Sequence, residues 1–196
     1  HLIDTPAAFE DFLQKLALQK VFAFDTETTA LRPVDADLCG MSFSWRESEG
    51  YYLPVRGTMG PLLDLDEVVR CLKPILEDSA IAKVGHNIKY DWQIVRTLGI
   101  RLAGIRFDTM IADSLLEPDR NAHGLDALAK AFFQYDKIPT SDLIGKGKNQ
   151  ITFAEVDTRR AGEYAAEDAD FTWRLYKVLE PRMRGSHVEP LFEGTE

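Results

Sequence analysis

Residues 21–27 read VFAFDTE, a short apolar run that ends in two acids separated by a threonine. An apolar run of this length, bounded by polar residues, is typical of a buried central strand. Because side chains alternate between the faces of a strand, Asp25 and Glu27 should share one face and Thr26 the other. Two anions beside an apolar core are costly unless a cation neutralises them, although a strand end that enters a polar loop would also explain the pattern.

On either side of this run, the chain alternates between strand-like and helix-like segments. Aromatic and β-branched runs predict strands, and helical apolar spacing with capping residues predicts helices. The predicted strands at 38–45 and 50–55 are joined by a four-residue polar turn and must be antiparallel. The other predicted strands are 81–84 and 105–107, and the predicted helices are 6–16, 64–77, 87–98, 109–116, 124–133 and 158–179, the last closed by Pro181. The sequence therefore predicts an α/β fold with a mixed sheet.

The composition is that of a globular protein, with 45% apolar and 28% charged residues among 196, a length that suits one domain. The formal charge of -9 argues against a passive phosphate-binding surface, but permits an enzyme that meets phosphate through metal ions. Cys39 and Cys71 lack metal-ligand spacing, which excludes structural zinc and predicts two reduced, buried thiols. We expect no membrane span and no signal peptide, and the missing initial Met predicts a fragment of a longer chain.

Two predicted helices each carry a pair of polar residues at i, i+4, a spacing that places both side chains on one helix face. Asn87 and Asp91 form the first pair, near a helix start where an acid can simply stabilise the helix dipole. Tyr164 and Asp168 form the second pair, and the alanines between them would let the helix approach a neighbour closely. Each pair alone is weak evidence for a functional site.

Glu167, Asp168 and Asp170 are three acids in a single helical turn. A solvated acidic face explains Glu167 and Asp170, whereas Asp168 shares an inward face with Tyr164. One strand and two helices thus offer carboxylates that could cluster. Ligands that are all oxygen suit Mg²⁺ or Mn²⁺ rather than zinc, and two such ions about 3.5–4 Å apart are the usual device for splitting a phosphodiester.

Three motifs, taken in this order, resemble those of the DEDD exonuclease superfamily. They are residues 24–28 (FDTET), 84–91 (VGHNIKYD) and 164–168 (YAAED). The Tyr-x-x-x-Asp form of the third motif is typical of the DEDDy branch. Further resemblance to the proofreading domain of bacterial DNA polymerase I, family A, is carried by residues 107–110 (FDTM), 123–126 (HGLD) and 145–150 (GKGKNQ), and covers about residues 3–193.

This resemblance implies a ribonuclease H-like fold, with a five-stranded mixed sheet flanked by helices. It implies a single 3′–5′ exonuclease domain over residues 1–196, excised from a larger polymerase. The implied activity uses two Mg²⁺ or Mn²⁺ ions to hydrolyse single-stranded or frayed 3′ DNA ends to 5′-mononucleotides. The implied partner is a covalently linked polymerase domain, and the isolated domain should be a monomer without membrane contact, from the bacterial cytoplasm and associated with the nucleoid.

Residue roles follow from the same resemblance. The family's four metal-binding acids match Asp25, Glu27, Asp91 and Asp168. Asp25 should bridge both ions, Glu27 and Asp168 should complete the first site, and Asp91 should hold the second ion through water. Tyr164 should orient the attacking water, helped by Glu27.

The resemblance also implies substrate contacts, by Thr26, Leu31, Asn87, Lys146 and Lys148. Leu31 matches a wedge near the terminal base, although an ordinary core leucine would fit the sequence, and Asn87 could instead cap its helix. Lys146 and Lys148 lie in residues 134–150, where periodicity ends, which predicts a long functional loop or one with short helices of its own. They could track a single-stranded phosphate backbone or form a solvated basic loop.

Two other functions stay open at this point. A ribonuclease D-like RNA exonuclease shares the fold and the tyrosine, but residues 145–150 favour the polymerase family, and equal rates on RNA and DNA ends would support the RNA enzyme. A catalytically dead domain would only brace a polymerase or bind DNA. Such a domain is expected to have lost the acids, and all four are present here together with Tyr164.

Overall fold

The computed structural model describes residues 1–193, which form a five-stranded mixed sheet flanked by helices, as predicted. In chain order the strands are β1 (Val21–Thr28), β2 (Leu38–Arg46), β3 (Glu49–Pro54), β4 (Ala82–Gly85) and β5 (Ile105–Asp108). Their order across the sheet is β3-β2-β1-β4-β5. β2 is antiparallel to both β1 and β3, whereas β4 is parallel to β1 and β5. β1 is therefore the central strand.

The described helices comprise six that follow the predicted segments closely and two short ones, at 140–144 and 189–193, that were not among the predicted helices. They are α1 (Pro6–Leu16), α2 (Leu65–Leu76), α3 (Ile88–Thr97), α4 (Thr109–Leu116), α5 (Leu125–Phe133), α6 (Thr140–Ile144), α7 (Thr158–Met183) and α8 (Glu189–Glu193). None of the helices in residues 1–193 is long and apolar enough to cross a bilayer. Both cysteines are free thiols, as predicted, but only Cys39 is buried; Cys71 is partly exposed.

Aromatic rings fix one face of β1 against the core. Phe22 and Phe24 are fully buried, and their ring centroids lie 5.7 and 5.3 Å from that of Phe43 on β2. Phe12 of α1 packs on the same ring at 5.2 Å. Burying each such side chain contributes roughly 1.5–3 kcal/mol. Because Phe22 and Phe24 commit this face to the core, the alternate side chains of β1 must leave on the opposite face.

Helix α7 covers that opposite face at close range. Ala161, Ala165 and Ala169 are buried at its contact with the sheet. A Cβ atom at Gly50 of β3 would lie only 2.2 Å from the backbone oxygen of Ala166, so no larger residue fits there. The predicted close approach of this helix is confirmed, and it brings the side chains of α7 down onto β1.

The predicted end of α7 was wrong. The helix continues through Pro181 to Met183. A proline removes one backbone hydrogen bond, but here it falls in the last turn, where little helix remains to be disrupted. The N–H of Arg184 then donates to the carbonyl of Glu180 at 3.1 Å and closes the helix.

Two connections are also more regular than predicted. β2 and β3 extend into the polar turn until Arg46 pairs with Glu49, which leaves two turn residues, with Ser48 at a φ of 64°. The segment 134–150 contains α6 and a 3₁₀ turn at Gly147–Asn149. Of the two interpretations of this segment, the loop with its own short helices is confirmed.

Candidate active site

Three carboxylates from two elements converge beside the second half of β1. Asp25 and Glu27 leave the strand towards α7, and Asp168 reaches them from that helix. One carboxylate oxygen from each residue lies within 4.8 Å of the other two. A donor set made only of carboxylate oxygens at this spacing suits a hard divalent cation.

The fourth acid, Asp91, docks against β1 from α3. Its Oδ1 accepts two hydrogen bonds from Thr26, one from the backbone N–H at 2.9 Å and one from the hydroxyl at 2.6 Å. All four acids line one open cleft of about 420 Å³. The hydroxyl of Thr26 is therefore engaged in positioning Asp91, and its contact with substrate stays a prediction.

Burial makes negative charge in this cleft costly. Burial, together with the charges of Asp91 and Glu27, raises the pKa of Asp25 well above its usual value. Burial and the charge of Asp168 do the same to the pKa of Glu27. Burial also raises the pKa of Asp91 to about 7 and that of Asp168 to about 6. Crowded acids of this kind favour the binding of a cation.

Sequence reasoning missed one charged residue at the site, Lys137. Its side chain is fully buried, and its ammonium group contacts Asp168 and lies 3.4 Å from Glu167 and 3.7 Å from Asp126. The lysine belongs to the segment between α5 and α6, where no periodicity exists to assign it a face. It is also separated from Asp168 by 31 positions along the chain, so local spacing held no signal for the contact.

Tyr164 lies one helical turn before Asp168, and its hydroxyl is held in place. The phenol oxygen is 2.9 Å from the hydroxyl of Thr140, and the ammonium of Lys137 lies 5.1 Å from the ring centroid. Burial and the charge of Asp168 raise the pKa of Tyr164 far above its usual value. The phenol therefore keeps its proton at neutral pH and can serve as a hydrogen-bond donor rather than as a base.

Asn87 occupies the N-cap position of α3, but its side chain makes no capping hydrogen bond. It has a left-handed backbone with a φ of 61°, and its N–H donates to Asp108 at 3.1 Å. The helix start is thus satisfied by Asp108, and the side chain of Asn87 lines the cleft with the acids. Beside it, burial lowers the pKa of His86 to about 4, which keeps that imidazole neutral.

Leu31 is not an ordinary core leucine, because it is 94% exposed. Leu31 lines both the acidic cleft and a neighbouring groove of about 760 Å³. Tyr90 and Tyr164 also line both. Apolar and aromatic side chains, including Ile151 and Phe153, continue the groove away from the acids. Phe153 is 8% exposed, which makes it mainly a core residue.

Lys146 and Lys148 are exposed on either side of Gly147. Gly147 and Gln150 line the groove, whereas neither lysine is among its lining residues. The structure therefore places both lysines next to the groove without bringing them to the acids. Their contact with a phosphate backbone stays a prediction.

The interpretation of Glu167 and Asp170 as a solvated acidic face was wrong. Glu167 accepts a hydrogen bond from the N–H of Ile138 at 2.9 Å. Asp170 is buried, accepts from the N–H of Ser48 at 2.7 Å and pairs with Arg174 at 2.6 Å. The β2–β3 turn covers α7 on one side and the segment after α5 covers it on the other, so these two acids do not form a solvated face.

Comparison with known proteins identifies the family of this chain. The profile of a family described as 3′-5′ exonuclease matches residues 1–184. The chain belongs to this family. Its sequence is 40% identical over 178 residues to DNA polymerase I of Pseudomonas aeruginosa and 35% identical over 194 residues to DNA polymerase I of Rhizobium leguminosarum. These alignments cover 88% and 89% of the chain, which spans only about a fifth of each relative (20% and 19%).

Solved structures of other proteins share the fold of this chain. Escherichia coli RNase D superposes with a TM-score of 0.71 at 18% identity, covering 97% of this chain and 47% of that protein. Brucella melitensis NrnC bound to pGG gives 0.69 at 24% identity, covering 98% and 86%. At these identities the likeness shows the fold alone, which is ribonuclease H-like as predicted.

Proposed function

We propose that the chain is a metal-dependent 3′–5′ exodeoxyribonuclease that releases 5′-mononucleotides from single-stranded or frayed 3′ ends, as the proofreading part of a DNA polymerase. The observation that carries this proposal is the convergence of Asp25, Glu27 and Asp168 within 4.8 Å, beside Tyr164, in an open cleft. Membership of the 3′-5′ exonuclease family supplies the reaction class. The DNA polymerase I relatives favour DNA as the substrate.

The acids fit a pair of Mg²⁺ or Mn²⁺ ions. Asp25, Glu27 and Asp168 would hold the first ion, and Asp25 with Asp91 would hold the second. When bound, two such ions supply Lewis-acid activation of water and stabilisation of the leaving 3′ oxygen. Thr26 orients Asp91 through its two hydrogen bonds and so prepares the second ligand set.

The remaining residues position the reactants. The protonated hydroxyl of Tyr164 and the carboxylate of Glu27 orient the attacking water towards the scissile phosphate. Leu31 lies at the junction of the acidic cleft and the apolar groove, where it can separate the terminal base from its neighbour. Unpaired bases fit such a groove because every base presents an apolar face, whereas a duplex end must first be unpaired.

A ribonuclease D-like exoribonuclease is the second candidate. It is favoured by the TM-score of 0.71 against Escherichia coli RNase D. That likeness concerns the fold, while the relatives with the higher identities are DNA polymerases I. Matched DNA and RNA strands that contain neither thymine nor uracil decide between the two candidates, because they differ only in the 2′-hydroxyl.

The test is degradation of a 5′-labelled single strand with Mg²⁺, with Mn²⁺ and with chelator. We expect a ladder that shortens from the 3′ end with either metal, none in chelator, and a lower rate on RNA. Asp25→Asn should abolish the ladder, and Asp11→Asn, an exposed acid on α1, is the matched control that should not. Undiminished degradation in chelator or by Asp25→Asn would overturn the proposal, and equal rates on RNA and DNA would transfer it to the second candidate.

We also propose that this domain is one part of a longer polymerase chain that works on nucleoid DNA in a bacterial cytoplasm. The support is that it spans about a fifth of its bacterial DNA polymerase I relatives (20% and 19%). The isolated domain should be a monomer, which light scattering after gel filtration can measure.

A further inference from the structure

Lys137 is a buried cation that the proposed mechanism does not use. Its side chain is fully buried, and its ammonium group contacts Asp168, one of the three converging acids. Two further carboxylates face the same group, Glu167 at 3.4 Å and Asp126 at 3.7 Å. A lysine is seldom buried completely unless acids pair with it, and here three do.

The segment that carries Lys137 is fixed to α7 by consecutive contacts. The N–H of Ile138 donates to Glu167 at 2.9 Å. The hydroxyl of Thr140 meets that of Tyr164 at 2.9 Å. The ammonium of Lys137 also lies over the Tyr164 ring, 5.1 Å from its centroid. These contacts fix the segment on α7 and hold the positive charge of Lys137 next to the acid cluster. The lysine is therefore part of the buried interior and not a surface side chain.

The positive charge of Lys137 interacts with all three converging acids, Asp25, Glu27 and Asp168. It lowers the pKa of Asp25 and of Glu27, against the raising effects of burial and of the other acids. A monovalent charge fixed at this place neutralises part of the site. A divalent ion that binds to the same acids must either displace the ammonium from Asp168 or accept repulsion from it.

We propose that Lys137 is a tethered cation that stabilises the acid cluster before metal binds and competes with divalent metal for Asp168. It thereby weakens metal binding. This inference rests on the proposed function only in taking Asp25, Glu27 and Asp168 as a metal site. If Lys137 instead served to hold Asp168 in its ligating position, its removal would weaken metal binding, which is the opposite sign.

The test compares Lys137→Met with wild type by calorimetric Mn²⁺ titration and by thermal melting in chelator. Methionine keeps the aliphatic stem and removes the charge. We expect the Kd for Mn²⁺ to fall by about 10-fold or more, since a nearby positive charge has gone, and the melting temperature in chelator to fall as well. Lys130→Met removes the lysine of an exposed pair with Asp136 and should change neither quantity.

Lys137→Arg retains the charge and should bind Mn²⁺ within about threefold of wild type, because a guanidinium competes for the same acids. An unchanged or weakened Mn²⁺ affinity in Lys137→Met overturns the inference, as does equal tightening in the arginine variant. If Lys137→Met is unfolded in chelator, folding on addition of Mn²⁺ supports the inference, and failure to fold at saturating Mn²⁺ overturns it. Absence of Mn²⁺ binding by wild type would refute the metal site of the proposed function, which is a distinct outcome.

Discussion

At the scale of single residues, the site separates groups that would ligate metal from groups that orient. The hydrogen bonds from Thr26 fix Asp91, and Thr140 holds the hydroxyl of Tyr164 at 2.9 Å. Tyr164 has no carboxylate with which to bind a metal ion, and its raised pKa keeps the phenol a neutral hydrogen-bond donor. Its contribution should therefore be that of one well-placed hydrogen bond.

Tyr164→Phe should slow release of the terminal nucleotide on the order of 10- to 1,000-fold, because it removes one orienting hydrogen bond and no ligand. The single-turnover rate on a 3′-labelled single strand measures this loss, and a Mn²⁺ titration should show unchanged affinity. A loss as complete as that expected for Asp25→Asn, or a weaker Mn²⁺ affinity, would mean that the phenol has another role.

At the scale of elements, two periodicities predict most of the site. Alternation along β1 places Asp25 and Glu27 together, and the i, i+4 spacing in α7 joins Tyr164 to Asp168. Both rules work because the backbone geometry of a strand or helix fixes side-chain direction over a few residues. Lys137 lies in an irregular stretch and Thr140 begins the short helix α6, so neither periodicity reaches them. Their positions against α7 depend on tertiary contacts.

Because residues 137–140 dock on α7, the effects of substitutions at Thr140 and Tyr164 on the rate should be coupled. Thr140→Val keeps the shape of the side chain and removes the hydroxyl that meets the phenol. We expect a rate loss of about 3- to 10-fold in the wild-type background and none in the Tyr164→Phe background, since both substitutions remove the same interaction. Single-turnover rates of the four proteins of this double-mutant cycle measure it. Additive losses would show that Thr140 acts elsewhere.

At the scale of the whole molecule, the crowded acids of the cleft should reduce stability. Two like charges about 5 Å apart cost roughly 3 kcal/mol at an effective dielectric of 20. The sheet and α7 nevertheless press these acids together, because Phe22 and Phe24 commit the other face of β1 to the core. The fold was predictable from apolar patterning, whereas the electrostatic balance inside the cleft required the three-dimensional neighbours.

Asp25→Asn should therefore melt higher than wild type in chelator, by the equivalent of about 1 kcal/mol or more. When folding raises the pKa of a carboxyl group, the folded protein becomes less stable as the pH rises from the pKa of the unfolded state towards that of the folded state. The pKa of Asp25 is raised in this way, so the advantage of Asp25→Asn should grow as the pH rises above about 4, the ordinary pKa of an aspartate. His86, whose pKa is lowered, is present in both proteins and cancels in the difference.

Melting curves at several pH values, with Asp11→Asn as the exposed control, measure that difference. Added Mn²⁺ should raise the wild-type midpoint by mass action and do much less for Asp25→Asn. A lower midpoint for Asp25→Asn in chelator would show that Asp25 has a structural role that outweighs the crowding of the acids.

The location of bound Mn²⁺ in crystals of the wild-type domain tests the proposed metal centre most directly, because Mn²⁺ is visible by its anomalous scattering. We expect two peaks about 3.5–4 Å apart in the acidic cleft, with Asp25 between them, Glu27 and Asp168 at the first and Asp91 beside the second. A map at saturating Mn²⁺ with no peak among these four acids would contradict the metal-dependent mechanism.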